Sequence, residues 1–352
     1  MSRKITVKAS KSYDVLIDGG CLAKCGETLL EYFRPCSVCI VSDTNVASIY
    51  MNTVRNSLET SGFAVNEFVF PAGEESKSPS TLLELWRHLA SVPMTRSDML
   101  IALGGGVTGD LTGFAAASYL RGVKYVQIPT SLLAMVDSSV GGKTAIDLPE
   151  GKNLCGAFCQ PSLVICDTEC LDTLPKKEYS CGMAEVIKYA MIDRPIIFDL
   201  IEKNDIEALI YECIDDKREK VEADECDNGV RQLLNLGHTL GHAIEKLEGF
   251  KTSHGEAVAI GMTLITRYAV TQNMCSESDL VQLISALKKY DLPTETQLSA
   301  SEIAGAAMGD KKRKGNTVTL VIPRGKLGSV LVPTSTSDVE GIVEAALRKD
   351  TK

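Results

Sequence analysis

Three of the chain's four histidines fall between positions 238 and 254, and this clustering is its clearest indication of chemistry. His238 and His242 are four residues apart, so they would share one face of a helix. His254 precedes a further helical segment, in the sequence Ser-His-Gly-Glu. Imidazole is a frequent ligand of zinc and titrates near neutral pH. The cluster therefore indicates a divalent-metal site with capacity for acid–base work.

The carboxylate that such a site lacks is available from Glu185, in the apolar segment Met-Ala-Glu-Val-Ile-Lys-Tyr. Lys188 follows it by three residues, and the two side chains equally suit an ordinary ion pair along a helix. Spacing alone favours His238 and His242 as a zinc pair. The residues by themselves leave the ligand set open between these interpretations.

A glycine-rich segment, residues 104–110 (GGGVTGD), follows the apolar run 99–103 and leads into an apolar helix. Glycine at such a place lets the backbone approach a phosphate, and the helix N-terminus offers free N–H groups. Gly104, Gly106 and Gly109 satisfy the spacing Gly-x-Gly-x-x-Gly. A turn that only packs a helix on a strand would carry the same glycines, so alone the segment is a weak indication of a nucleotide site.

Two further loops carry charged residues. Residues 137–144 (DSSVGGKT) end like a P-loop, but aspartate stands where that motif needs its first glycine. What remains is Lys143 beside small residues, with Lys152 and Asn153 nearby, a combination that suits an oxyanion. For residues 71–78 (PAGEESKS), a helix-capping turn with a solvated charge pair is the simpler interpretation.

Composition excludes several classes of protein. The formal net charge of −9 argues against nucleic-acid binding driven by general electrostatics. No run approaches the roughly 18 apolar residues of a membrane span, and the first residues lack the apolar segment of a leader. We therefore expect a cytoplasmic protein with no membrane partner. The twelve cysteines are expected to be free thiols, because disulfide frameworks are typical of short secreted chains.

The order of the predicted elements indicates two domains. β-rich runs at 5–7, 15–17, 38–41, 64–70, 99–103, 125–128 and 163–166 alternate with helical stretches such as 47–61 and 80–89, which predicts a mostly parallel, Rossmann-like sheet. Helices then predominate, at 178–191, 196–225, 229–247, 255–272, 279–290 and 339–348, with one hairpin at 317–332. We predict an α/β domain over 1–177 and a mainly helical domain over 178–352, with the active site in the cleft between them.

Six segments, taken together and in this order, resemble the 3-dehydroquinate synthase family of sugar-phosphate cyclases. They are PAGEESKS, GGGVTGD, PTSLLAMVDSSVGGKTAID, GMAEVIKYA, LNLGHTLGHAIE and SHGEAVAIGM, and the resemblance spans at least residues 43–312. The family carries serine or asparagine where Cys181 stands and threonine where Ser131 stands.

The resemblance implies a zinc or cobalt ion held by Glu185, His238 and His254. It implies that NAD is bound by residues Asp43, Asn45, Ala72, Gly73, Glu74, Glu75, Ser76, Lys77, Gly105, Gly106, Val107, Thr108, Gly109, Asp110, Thr130, Ser131, Lys143, Lys152, Cys170, Leu171, Asp172 and Thr173. It implies that a sugar phosphate contacts Arg121, Asp137, Lys143, Lys152, Asn153, Lys188, Lys217, Arg231, Asn235, His242 and Lys312. Lys143, Asn153, Lys188 and His242 are the implied catalytic residues.

The implied reaction converts 3-deoxy-D-arabino-heptulosonate 7-phosphate into 3-dehydroquinate, in the shikimate pathway of aromatic amino-acid biosynthesis. It proceeds by transient oxidation with NAD, β-elimination of phosphate, re-reduction and an intramolecular aldol closure. Lys217 and Arg231 suit the substrate carboxylate. The resemblance also implies a homodimer in which Arg121 reaches the partner subunit's substrate.

Other interpretations predict different behaviour. A cyclase for a substrate without a carboxylate, such as an inosose or valiolone synthase, would not need Lys217 and Arg231. A metal-dependent polyol dehydrogenase would turn NAD over stoichiometrically. A non-catalytic nucleotide-binding protein would have no use for a metal set beside a phosphate cluster.

Overall fold

The computed structural model describes residues 3–249, 251–307 and 316–348. Its strands are β1 (Arg3–Lys8), β2 (Ser12–Asp18), β3 (Ser37–Asp43), β4 (Ala64–Phe70), β5 (Met99–Gly104), β6 (Lys124–Pro129), β7 (Lys143–Leu148), β8 (Gly151–Phe158), β9 (Leu163–Asp167), β10 (Thr317–Pro323) and β11 (Ser329–Ser335). Its α-helices are α1 (Cys25–Leu30), α2 (Thr44–Thr60), α3 (Pro79–Ser91), α4 (Gly106–Ser118), α5 (Lys176–Ile192), α6 (Ile196–Lys203), α7 (Ile206–Ala223), α8 (His238–Leu247), α9 (His254–Thr271), α10 (Glu277–Lys289), α11 (Ala300–Ala307) and α12 (Val339–Leu347). None of these helices is long and apolar enough to cross a membrane.

The main sheet has seven strands in the order β1-β2-β9-β6-β5-β3-β4. All neighbours pair in parallel except β1, which runs antiparallel to β2. Strands β5 and β9 are buried along their whole length, as the apolar runs 99–103 and 163–166 favour in a parallel sheet. Leu85 of α3 and Leu111 of α4 pack with Leu100 of β5 in the core. The predicted α/β domain and the helical domain after it are confirmed.

The chain divides into two compact units. Unit 1 comprises the chain up to Pro175 together with Lys217–Cys226, and unit 2 comprises Lys176–Asp216 and the chain from Asp227 onward. The predicted division at 177 placed residues 217–226 in the second domain, which differs from this grouping.

Hydrogen bonds explain why the end of α7 groups with unit 1. The backbone N–H of Lys8 donates to Glu222 Oε1 at 2.7 Å, and that of Ser10 donates to Glu225 Oε2 at 2.7 Å. The side chain of Gln160 also donates to Glu225 at 2.8 Å. A helical pattern in the sequence does not reveal that the carboxylates of Glu222 and Glu225 accept hydrogen bonds from unit 1.

Several predicted elements have different bounds. The predicted helix 196–225 is two helices, because Asn204 adopts the left-handed conformation at φ 54° and ends α6. The predicted helix 229–247 begins as a 3-10 segment, Val230–Asn235, and breaks at Gly237 before α8. The hairpin of β7 and β8, with α1 and α11, is absent from the sequence prediction.

Candidate functional site

The histidine cluster depends on a close crossing of α8 and α9. Gly237, at φ 77°, precedes α8, and a Cβ there would lie 2.7 Å from the backbone nitrogen of Met262. On the facing helix, a Cβ on Gly261 would lie 2.1 Å from the carbonyl oxygen of Gly237. Only glycine permits this approach. The crossing brings His238, the first residue of α8, close to His254, the first residue of α9, with ring centroids 5.2 Å apart.

A second close contact brings the predicted carboxylate to the histidines. A Cβ on Gly255 would lie 2.4 Å from the Cα of Cys181, so the start of α9 packs directly on α5. The Cys181 thiol donates to Ser253 Oγ at 3.0 Å. The hydrogen bond at this position is therefore made by sulfur. Glu185 lies one helical turn beyond Cys181 and so lies beside His254.

The distances within this cluster suit a metal ion. Glu185 Oε1 lies 3.4 Å from His254 Nε2 and 3.6 Å from His238 Nε2. Both distances are long for hydrogen bonds, but two ligands of a tetrahedral ion bound at about 2.1 Å are themselves about 3.4 Å apart. Glu185 is 1% exposed, and its Oε1 accepts no hydrogen bond among the described residues. A buried carboxylate oxygen of this kind fits a cation.

The orientation of His238 agrees with the same donor set. Its Nδ1 lies 3.1 Å from the carbonyl oxygen of Leu236, an acceptor to which the ring donates. In the neutral ring the proton then resides on Nδ1, and Nε2, which faces Glu185, keeps its lone pair. The local backbone thus prepares His238 as a ligand through Nε2.

A second, overlapping donor set contains a residue that the sequence analysis missed. His242, Glu245 and His254 also have donor atoms within 4.8 Å of one another. Glu245 follows His242 by three positions and His238 by seven, so its helical face was readable from spacing. Desolvation lowers the pKa of His254, but Glu185 and Glu245 outweigh it and raise this pKa to about 9. The negative potential that holds this proton also favours a metal cation, which would displace it.

Lys188 occupies the other oxygen of the central carboxylate. Its ammonium forms an ion pair with Glu185 Oε2 and lies 4.9 Å from the ring centroid of Tyr189. Both side chains of the pair are 1% exposed. The helix pair and the metal interpretation from sequence are therefore compatible, because each uses a different oxygen of Glu185.

In unit 1, the sheet topology marks a binding crevice. The connection after β3 leads to β4 on one side, and the connection after β5 leads to β6 on the other. Ligands of open α/β sheets bind where the strand order reverses in this way, beyond the carboxyl ends of the strands. Here that point lies between Asp43, the last residue of β3, and Gly104, the last residue of β5. Thr108 Oγ1 donates to Asp43 Oδ2 across it at 3.4 Å.

The glycines at this point have two different roles. A Cβ on Gly104 would lie 2.4 Å from Thr108 Oγ1, and one on Gly109 would lie 2.6 Å from Gln127 Oε1, so both serve helix packing. Gly105 caps α4 without a side-chain hydrogen bond, and a Cβ there would meet its nearest atom at 3.3 Å. The first turn of α4 therefore offers the free backbone N–H groups from which a phosphate accepts hydrogen bonds.

Lys77 is buried, not solvated as the capping-turn interpretation expected. Its ammonium lies 2.6 Å from Asp110 Oδ2 and donates to Asn153 Oδ1 at 2.5 Å. Burial lowers the pKa of Lys77, but the carboxylates of Asp110 and Glu74 raise it above its usual value. The segment still caps a helix, since Ser78 Oγ accepts from the backbone of α3. Three residues predicted at the ligand sites thus form one polar cluster.

The predicted NAD residues follow the carboxyl ends of parallel strands, apart from Lys143 and Lys152 in the β7–β8 hairpin. The first group lies at or after the ends of β3, β4 and β5, and comprises Asp43, Asn45, Ala72, Gly73, Glu74, Glu75, Ser76, Lys77, Gly105, Gly106, Val107, Thr108, Gly109 and Asp110. The second comes after β6 and β9, and comprises Thr130, Ser131, Cys170, Leu171, Asp172 and Thr173. These two groups of predicted NAD residues therefore lie along the same edge of the sheet.

The predicted substrate residues are distributed over both units. In unit 1, Asp137 lies in a single π-helical turn, and its carboxylate and carbonyl oxygen both accept from the Lys217 ammonium. In unit 2, Arg231 is 1% exposed within the 3-10 segment, and Asn235 Nδ2 donates to the carbonyl of Gln232 at 3.1 Å. Lys312 lies outside the described residues.

Arg121 lies in a strained turn after α4. Leu120, Arg121 and Gly122 have consecutive positive φ angles of 50°, 66° and 118°. Such conformations cost of order 1–3 kcal/mol each for residues other than glycine and concentrate at functional sites. The Arg96 side chain donates to the carbonyl of Leu120 at 3.1 Å and helps to hold the turn.

Structural comparison places the fold among sugar-phosphate cyclases. A 2-epi-5-epi-valiolone synthase from Streptomyces hygroscopicus, solved with NAD+ and Zn2+, is 26% identical, with a TM-score of 0.87 over 97% of this chain and 98% of that one. A 2-deoxy-scyllo-inosose synthase, solved with carbaglucose-6-phosphate, NAD+ and Co2+, is 24% identical, with a TM-score of 0.85 over 97% and 99%. A glycerol dehydrogenase from Schizosaccharomyces pombe is more distant, at 16% identity and a TM-score of 0.63 over 94% and 88%.

Sequence comparison is more specific. Residues 67–181 match the family model of the 3-dehydroquinate synthase N-terminal region, and residues 182–313 match that of the C-terminal region. The 3-dehydroquinate synthase of Pelobacter propionicus is 43% identical over 339 residues, which is 93% of this chain and 94% of the relative. That of Streptococcus suis is 44% identical over 331 residues, 91% and 93% of the two chains. The resemblance is confirmed: the chain belongs to the 3-dehydroquinate synthase family.

Proposed function

We propose that the chain is an enzyme that converts 3-deoxy-D-arabino-heptulosonate 7-phosphate into 3-dehydroquinate and inorganic phosphate, in the cytoplasm, with NAD and a divalent metal. Family membership supports the reaction class. The observation that carries the proposal is the three-donor set of Glu185, His238 and His254. Three protein ligands leave coordination positions for a substrate, as in catalytic rather than structural zinc sites.

The residues present fit both cofactors. Glu185, His238 and His254 would hold the metal, and the first turn of α4 with Asp43 would hold NAD. When bound, the metal supplies Lewis-acid polarisation of a substrate oxygen, and NAD supplies a reversible hydride acceptor. The side chains of the protein then bind the phosphate and the carboxylate of the substrate and transfer protons.

We assign the phosphate of the substrate to Lys143, Asn153 and His242, with Arg121 from a second subunit. His242 is the group suited to give a proton to the leaving phosphate. Arg231 is the principal group for the carboxylate, because the charge of Lys217 is already balanced by Asp137.

One assay separates this function from its alternatives. The substrate is incubated with catalytic NAD, while released phosphate and absorbance from NADH are followed together. The proposal predicts stoichiometric phosphate release with no net NADH. Accumulation of NADH would indicate a polyol dehydrogenase, and turnover only of sugar phosphates without a carboxylate would indicate another cyclase; either result contradicts the proposal.

The assembly we propose is a homodimer in which Arg121 reaches the partner's substrate. The strain at residues 120–122 supports a functional reason for holding Arg121 outward, since this residue is exposed. Mixing inactive Arg121→Ala protein with inactive His242→Ala protein should then restore partial activity, because hybrid dimers contain one intact site. A monomer that is fully active at assay concentration would rule this assembly out.

A further inference from the structure

The imidazole of His254 lies between two buried carboxylates from different helices. Its Nε2 is 3.4 Å from Glu185 Oε1 on α5, and its Nδ1 is 3.6 Å from Glu245 Oε2 on α8. Glu185 and Glu245 are 1% and 5% exposed. The ligand set described above uses only the first of these contacts, so the second needs its own explanation.

A neutral imidazole carries one proton and one lone pair. If Nε2 binds the metal, the proton resides on Nδ1, and an acceptor there fixes the tautomer and the plane of the ring. His238 already shows this arrangement, with Nδ1 directed at the Leu236 carbonyl and Nε2 directed at Glu185. Glu245 Oε2 stands in the corresponding position for His254, at a distance that a shift of about 0.5 Å would bring into the range of a hydrogen bond.

We infer that Glu245 is a positioning residue of the metal centre: it accepts the Nδ1–H of His254 and so directs Nε2 toward the ion. This inference rests on the proposed function, because it presupposes the metal. It adds a fourth side chain to the site, one that touches neither the metal nor the substrate. It also explains why His242, Glu245 and His254 lie close together without requiring a second metal ion among them.

The competing arrangement makes Glu245 a direct ligand, with His242 and Nδ1 of His254. Two features of the structure favour the positioning role. Glu185 Oε1 is a buried oxygen that accepts no hydrogen bond among the described residues, while the ion pair with Lys188 is made by Oε2. His238 directs Nε2, which carries its lone pair, toward that oxygen. A neutral His254 ring has one nitrogen lone pair and can therefore bind one ion. These two features favour Nε2 as the nitrogen that binds it.

The experiment measures zinc affinity, not activity. Metal-free wild type, Glu245→Ala, Glu245→Gln and Glu185→Ala are titrated with Zn2+ in competition with a chromogenic chelator, and the visible spectrum of each Co2+ form is recorded. Glutamine keeps an acceptor oxygen for Nδ1–H but is a poor zinc ligand. Glu256→Gln is the matched control, because Glu256 caps the start of α9 through Ser253 and belongs to neither donor set.

The positioning role predicts a 10–100-fold loss of zinc affinity for Glu245→Ala. It predicts recovery of most of that loss in Glu245→Gln, with an unchanged Co2+ spectrum. Glu185→Ala should lose far more, and Glu256→Gln should stay within threefold of wild type while its unfolding midpoint falls. Zinc affinity of Glu245→Ala within threefold of wild type would overturn the inference.

A direct-ligand role would give a different pattern: Glu245→Gln would be as weak as Glu245→Ala, and its Co2+ spectrum would change. That result also overturns the inference. Absence of zinc binding by the wild type would instead contradict the proposed function, and the inference with it. The two failures are therefore distinguishable.

Discussion

The two candidate ligand regions differ in how their polar groups are satisfied. At the carboxyl edge of the sheet in unit 1, polar side chains satisfy one another, since Lys77 pairs with Asp110 and donates to Asn153. At the α8–α9 crossing in unit 2, Glu185 Oε1 lies 3.4 Å from His254 Nε2 and 3.6 Å from His238 Nε2, which are the separations expected between ligands of one ion. The charges of the first region are balanced by neighbouring side chains, whereas the spacing of the donor atoms in the second suits a cation.

This difference indicates that the first region suits an organic cofactor and the second suits a metal ion. An organic cofactor binds largely through backbone N–H groups and shape, so the surrounding side chains can satisfy one another beforehand. A metal ion replaces the proton that His254 otherwise holds, and its binding free energy stabilises the fold directly. Zinc should therefore raise the unfolding midpoint of the protein through unit 2.

The largest effect on stability is expected from breaking the paired cluster of unit 1. Lys77→Met would leave Asp110 without its ammonium partner, and losing one partner of a buried pair costs about 3 kcal/mol. Chemical unfolding of NAD-free protein measures this loss. The double variant Lys77→Met/Asp110→Asn should recover most of it, because neither member of the buried pair then carries a charge. A double variant no more stable than the single one would show that the pairing is not what stabilises this edge.

A smaller but functional effect is expected at Arg231 in unit 2. Removing one partner of a charge-assisted contact weakens binding by about 2 kcal/mol. Arg231→Ala should therefore lower kcat/KM about 30-fold or more, mainly through KM, while NAD affinity, measured by titration, stays near wild type. Unchanged kinetics would count against carboxylate recognition and favour a cyclase for another substrate.

The smallest effect is expected at Cys181, where sulfur makes the hydrogen bond to Ser253. Cys181→Ser keeps a donor of similar size, so stability should change by less than about 0.5 kcal/mol. Cys181→Ala loses the hydrogen bond and should cost about 1 kcal/mol. Thermal unfolding of the metal-free proteins compares the two. Equal stability of the serine and alanine variants would mean that the thiol only fills space.

The sequence predicted the layers of the fold better than the joints between elements. Strands such as 99–103 were visible because a buried parallel strand is an unbroken apolar run. The break before α8 was not, because it depends on the approach of Met262 to Gly237, a contact between distant residues. The β7–β8 hairpin was missed because its glycines and lysines were interpreted as a phosphate loop.

The candidate site shows the same division. Spacing found the three histidines but could not choose among them, since the choice depends on which nitrogen of each ring faces Glu185. Glu245 was overlooked because its contact with His254 joins two helices. The burial of Lys77 was likewise invisible, because Asp110 and Asn153 reach it from other segments of the chain.

The metal content of three single variants tests the central claim most directly. His254 belongs to both donor sets, so Glu185 and His242 are the discriminating positions, with His254→Ala as the control that empties either set. Wild type should hold about one zinc per chain, as expected for a three-ligand site. Elemental analysis after dialysis should find Glu185→Ala and His254→Ala nearly metal-free, whereas His242→Ala keeps its zinc and loses turnover. A zinc-free His242→Ala beside a zinc-loaded Glu185→Ala would contradict the account.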